Sequence, residues 1–259
     1  MVVLRILPLF RAGRMLSRTE VLTTPYRHPP ERRATRWVIR ATLCALGPFV
    51  ETVTHADRLR RLDGPFVAVL NHSQPTEAFL VPALLAWLRG GRVIRFLADW
   101  NFMLWPPVYA LYKSARVIPV TSKQARPRFL NALQDVVAPP PTGFLEARRC
   151  LERGRPVGAF VEGTTNPDPT RLLRGQRGAA RLSLDTGVPV LPIGLRFPDH
   201  DDPDAPITGG ERLSVHVGRP RTPPPTADLA DWHALLMQAL AARADATWDP
   251  SHPRRPAMD

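Results

Sequence analysis

The chain has 259 residues, 44% of them hydrophobic and 22% charged, with a formal net charge of +12. That apolar fraction is enough for a substantial core and excludes wholesale disorder. Its two cysteines, Cys44 and Cys150, exclude a disulfide framework and a zinc module. Of 35 basic residues, all but Lys113 and Lys123 are arginine, and residues 1–40 hold nine arginines against Glu20 and Glu31, a local +7. Charge of this size and placement draws anionic partners: nucleic acid, a membrane surface or a phosphorylated substrate.

In chain order, Met1–Phe10 is apolar but broken by Arg5 and Pro8, and it lacks the small-residue cleavage site of a secretory signal. Residues 1–33 form a basic N-terminal segment and linker, of which 1–20 read either as a frayed tail or as a partly amphipathic segment for docking on an anionic leaflet. On a leaflet each arginine contributes about 1 kcal/mol. Tyr26–Arg33 serves as a linker. The apolar stretches Trp37–Val53, interrupted by Arg40, and Ala78–Leu88 do not have the form of membrane spans.

Short apolar runs then alternate with helical spacing. Phe66–Leu70, Val93–Ala98, Val117–Val120, Val157–Val161, Val190–Leu195 and Leu213–Val217 predict strands. Thr76–Arg89, Phe144–Arg153, Gly178–Thr186 and Leu229–Thr247 predict helices. This order implies an α/β domain over 34–248, with a mostly parallel central sheet flanked by helices. Residues 249–259 are expected to form a disordered tail. The apolar Phe102–Tyr112 fits either buried core or a docking surface.

Two strand ends carry chemistry. Asn71-His72-Ser73-Gln74-Pro75-Thr76-Glu77 follows the first of these strands, at the strand terminus that α/β folds favour for active sites. Five positions separate His72 from Glu77, enough for one turn to bring imidazole and carboxylate together. The acid would orient the ring, and the free nitrogen would take a proton from a hydroxyl. Glu77 equally suits the first turn of a helix, where negative charge is favoured in any case. Phe160-Val161-Glu162-Gly163-Thr164-Thr165-Asn166 follows another strand, where glycine and hydroxyl residues allow close approach to a polar headgroup. Downstream, Arg174 and Arg177 stand three apart and could face an anion together or form a solvated helix start. No G-x-S-x-G elbow, Walker loop, dinucleotide fingerprint or metal-ligand cluster accompanies them.

In order, these blocks resemble the glycerolipid acyltransferase family that includes the lysophosphatidic acid acyltransferases, whose first block is N-H-x4-D. Here that block runs from Asn71-His72 to Glu77, and Val117–Val120 stands for the second. Phe160-Val161-Glu162-Gly163-Thr164 matches F-P-E-G-T, and Val188-Pro189-Val190-Leu191-Pro192 matches V-P-(I/V)-x-P. Leu151–Arg155 matches a helix end just before the third block. The likeness covers roughly residues 34–220. It implies transfer of a fatty acyl group from a thioester donor, acyl-CoA or acyl-carrier protein, to a hydroxyl of a lysolipid acceptor.

In that scheme His72 is the general base and Glu77 its partner, while Glu162, Gly163 and Thr164 bind the acceptor, with Arg174 and Arg177 as further contacts. The scheme needs no cofactor, no metal and no covalent acyl-enzyme. It also implies a peripheral membrane protein at the cytoplasmic face. Four positions depart from the family: Glu77 replaces Asp, Val161 replaces Pro, and Thr165 and Ser122 stand where arginines are usual. The reaction class is therefore carried by more residues than the identity of the acceptor. The alternatives are an inactive lipid-binding relative and a nucleic-acid-binding protein. Against the latter, the arginines lack the aromatic interleaving of a single-strand platform.

Overall fold

The structure, a computed structural model, describes residues 16–28, 33–125 and 127–252. Most of the expected docking segment and the end of the expected tail lie outside these residues. Two N-terminal helices, α1 (Arg18–Thr23) and α2 (Arg33–Leu46), precede β1 (Val50–Thr54) and α3 (Ala56–Arg61). Then follow β2 (Val67–Leu70), α4 (Glu77–Leu88), β3 (Arg95–Asp99), a 3-10 turn at Trp100–Leu104, α5 (Pro106–Ala115) and β4 (Ile118–Val120). A second 3-10 turn, Arg128–Leu133, leads into α6 (Gln134–Val137), α7 (Gly143–Glu152), β5 (Val157–Phe160) and β6 (Arg171–Leu172). The remaining elements are α8 (Gly178–Thr186), β7 (Val190–Arg196), β8 (Leu213–Val217), α9 (Leu229–Ala244) and β9 (Thr247–Trp248).

Seven strands form one sheet in the order β1-β8-β7-β2-β5-β3-β4. Every pairing in it is parallel except β7 with β8, which run antiparallel. The sheet is mostly parallel, as the alternation predicts. β6 and β9 form a separate two-stranded pair.

The central strand β2 is buried at all four positions, and its period of two divides the core. Ala68 and Leu70 join α2 and α4 through Ile39, Leu43, Leu80 and Leu84. Val67 and Val69 face the other way, toward Ala147 and Leu151 of α7 and Leu236 and Leu240 of α9. Gly194 of β7 lets α9 pack directly on the sheet, because a Cβ there would strike the Arg243 and Ala244 backbone.

Element boundaries differ from expectation in a few places. The helix expected to reach Thr247 ends at Ala244, since Asp245 turns left-handed at φ 60° and the chain enters β9. Trp37–Val53 divides at Gly47-Pro48 into a helix and an edge strand. Phe102–Tyr112 also divides: Met103, Val108 and Tyr112 are buried, while Phe102 and Trp105 are 54% and 65% exposed. On α2, Thr35, Ile39 and Leu43 face inward, leaving Ala34, Trp37, Ala41 and Ala45 as an outward apolar stripe. Among the described residues, no helix is long and apolar enough to cross a membrane.

Candidate active site

The site forms where β2 ends beside β5 and β7, at the carboxyl edge of the sheet. Asn71 fixes the exit from β2. Its Nδ2 donates to the Leu195 carbonyl at 3.0 Å, and its Oδ1 accepts the Leu195 N–H at 2.7 Å. This buried amide satisfies a backbone donor and acceptor of β7 and anchors the turn that follows.

His72 comes next. Its Nδ1 lies 2.7 Å from Glu77 Oε2, with the His72 side chain 13% exposed and that of Glu77 fully enclosed. The same carboxylate accepts the Ser73 N–H at 2.9 Å and the Gln74 N–H at 3.2 Å. The glutamate thus ties down the turn that precedes its helix, and the Thr76 hydroxyl makes no cap bond. The longer side chain in place of aspartate still reaches the ring. Burial pushes the Glu77 carboxyl above the usual range, and the bonds from His72, Ser73 and Gln74 pull it back. The Ser73 and Gln74 N–H groups can only donate, which favours the carboxylate form of Glu77 and so a hydrogen on His72 Nδ1. Among the described residues no group bonds Nε2, which leaves its lone pair available to accept a proton.

The third block holds the backbone of the same histidine. The His72 N–H donates to Glu162 Oε1 at 3.1 Å, and the His72 carbonyl accepts the Asn166 N–H at 2.7 Å. Asn166 Nδ2 donates to Glu162 Oε2 at 2.8 Å and to the Arg171 carbonyl at 2.7 Å, and the Leu173 N–H reaches Glu162 Oε2 at 2.9 Å. Glu162 is only 1% exposed. Its expected contact with the acceptor is replaced by an inward one, because both oxygens are taken up by protein donors. Burial raises the Glu162 carboxyl to about 7, against the pull of those donors. The Phe160 ring lies 4.4 Å from the imidazole and completes the cradle.

The other expected residues occupy different positions. Gly163 is exposed at φ +73°, a conformation that suits glycine, and Thr164 is half-buried beside it. Arg174 and Arg177 do not share a helix face, since Gly175 at φ +76° lies between them and α8 starts at Gly178. Arg174 is half-buried, and its carbonyl faces His233 Nε2 and accepts from Trp248 Nε1. Arg177 is exposed, and neither arginine forms an ion pair among the described residues. Lys123 lies past β4 and pairs with Asp99 at 3.4 Å. Sequence reasoning missed Asn166 and the clamp made by Asn71. The partners of Asn71 lie 124 residues away, and nothing local marks Asn166.

A partly open apolar cavity lies between α2, α4, α5 and β3, lined among others by Ile39, Pro82, Ile94, Phe96 and Leu111. Phe96, in the cavity wall, meets Phe160 at 5.5 Å between ring centroids, so two aromatic rings, Phe96 and Phe160, stand between the cavity and His72.

A family model described as Acyltransferase matches residues 51–196. A lyso-ornithine lipid O-acyltransferase from Pseudomonas aeruginosa is 29% identical over 194 residues, 74% of this chain. The chain spans 65% of that relative's length. The crystal structure of PlsC, the 1-acyl-sn-glycerophosphate acyltransferase from Thermotoga maritima, superposes with a TM-score of 0.57 at 18% identity over 89% of each chain, so the fold is shared. The family model covers more than half of the chain, including both strand-end blocks around His72: the chain belongs to the acyltransferase family.

Proposed function

We propose that the protein is an O-acyltransferase that moves a fatty acyl group from a thioester, acyl-CoA or acyl-carrier protein, to a hydroxyl of a lysolipid. The observation that carries this reading is the His72–Glu77 contact at 2.7 Å, with Nε2 uncommitted and an apolar cavity beyond the Phe160–Phe96 pair. Nε2 takes the proton as the acceptor oxygen attacks the thioester carbonyl. The C–S bond breaks, and the imidazolium returns the proton to the departing thiolate. Glu77 holds the ring in the tautomer this needs and stabilises its charged form. A cavity with this apolar lining suits the hydrocarbon part of a substrate.

The acceptor headgroup is an amino acid in preference to a phosphate. Thr165 and Ser122 stand where the resembled family has arginines, and the relative from Pseudomonas aeruginosa is named for a lyso-ornithine lipid. The enzyme works on a membrane surface, at the cytoplasmic face. The apolar outer stripe of α2 around Trp37, flanked by Arg33 and Arg36, supports interfacial docking.

The test supplies labelled acyl-CoA or acyl-carrier protein with lyso-ornithine lipid or lysophosphatidic acid in mixed micelles. Transfer by the wild type, reduced at least about 100-fold in His72→Ala of unchanged Tm, is expected. Higher kcat/KM for the lyso-ornithine lipid is also expected. Full transfer by His72→Ala contradicts the reaction assignment, and preference for lysophosphatidic acid contradicts the headgroup assignment.

A further inference from the structure

The turn bearing His72 is held by a third attachment that neither motif predicts. Gln74 is 1% exposed, and its own N–H donates to Glu77 Oε1 at 3.2 Å. Its carboxamide points away from the turn. Nε2 donates to the Glu211 carbonyl at 2.9 Å, and Oε1 accepts the Gly210 N–H at 2.7 Å. One two-ended amide thus ties the catalytic turn to backbone 136 and 137 residues downstream, at the end of the loop between β7 and β8.

That loop end is itself fixed. Glu211 Oε1 accepts the Thr208 N–H at 2.7 Å and its hydroxyl at 3.0 Å, while Oε2 faces His200 Nδ1 at 3.0 Å. His200 Nε2 faces the Ala205 carbonyl, also at 3.0 Å. A carbonyl only accepts, so Nε2 carries a hydrogen. The other ring nitrogen meets Glu211 Oε2, so the imidazole bridges the Glu211 carboxyl and the Ala205 backbone. The pair is largely enclosed, with side chains 10% and 18% exposed. The adjoining Asp199 is paired separately with Arg212 at 2.6 Å.

We propose that Gln74 is a positioning residue for the acyl transfer. Its carboxamide suspends the His72–Glu77 turn from the β7–β8 loop, and the His200–Glu211 pair holds that loop where Gln74 meets it. The proposal rests on the reading of His72 as the base, and it adds a support that the catalytic block does not contain.

The experiment uses the full chain with Gln74→Ala, His200→Gln and the double variant, assayed well below each Tm for kcat and for both KM values. Displacement of a catalytic group by about an ångström costs on the order of 100-fold. Gln74→Ala is therefore expected to lose about 10- to 100-fold in kcat, with both KM values within about twofold. His200→Gln acts from the far side of the loop and is expected to lose less. The double variant should lose no more than Gln74→Ala alone, because both act through one contact. A kcat within about twofold of wild type in Gln74→Ala overturns the proposal, as do losses that multiply in the double variant. Where Gln74→Ala fails to fold, an unchanged kcat in His200→Gln overturns it. Activity in His72→Ala would instead defeat the proposed reaction and leave the geometry of the tether untouched.

Discussion

Two regions meet at the carboxyl edge of the sheet, and they are built differently. Around His72 every position but Nε2 is held: Glu77 holds the ring, Glu162 and Asn166 hold the backbone, and Asn71 holds the strand exit. Around Gly163, Thr164, Arg174 and Arg177 the side chains are open or half-open, and the arginines form no ion pairs among the described residues. The first region has the form of a preorganised catalytic group, which gains from rigidity because it must meet a transition state. The second is open to solvent and lies outside that bonded network. Substitutions in the two regions should accordingly fall on different kinetic constants.

The largest effect is expected at the ring. His72→Ala should reduce kcat by about 100- to 10,000-fold, the usual contribution of a positioned base, with little change in either KM. Glu77→Gln follows at about 100-fold, since the amide presents a donor where three donors now converge. Steady-state kinetics check both. Equal losses in kcat and in donor affinity would break the distinction between the two regions.

Glu162→Gln tests whether the buried carboxyl is a strut. Its folded pKa of about 7 lies above the ordinary 4.5, so its contribution to stability is full below about 4.5 and is lost as pH rises through about 7. Urea unfolding should show the stability gap between wild type and Glu162→Gln shrinking by roughly 3 kcal/mol over that range. A gap independent of pH would contradict the assignment. The smallest effect is expected at Arg177→Ala, a rise of about threefold in acceptor KM with kcat unchanged, the signature of lost uniform binding. A fall in kcat there would place Arg177 in the machinery with His72.

The same contrast explains what could be read from the sequence. Buried parallel strands are apolar along their whole length, so β2 and β7 stand out as runs rich in Val, Leu and Ile, while β8 alternates Leu213, Val215 and Val217 with Ser214 and His216. The His72–Glu77 spacing is local, and one turn closes it. β1 was hidden because α2 runs into it as one apolar stretch, with only Gly47-Pro48 between them. Glu162 was read as facing the acceptor because sequence shows that a carboxylate follows a strand, and not which way it points. Asn71 and Asn166 act through backbone atoms brought near by the sheet order, which no spacing along the chain encodes.

The central claim is that Glu77 fixes the hydrogen of the His72 ring on Nδ1 and leaves Nε2 as the base. Nitrogen-15 NMR of histidine-labelled protein, with His72→Gln identifying the resonance, reads this directly at a pH where the ring is neutral. The structure predicts a protonated Nδ1 and an unprotonated Nε2, shifting together in Glu77→Gln. A hydrogen on Nε2 in the wild type would contradict the account.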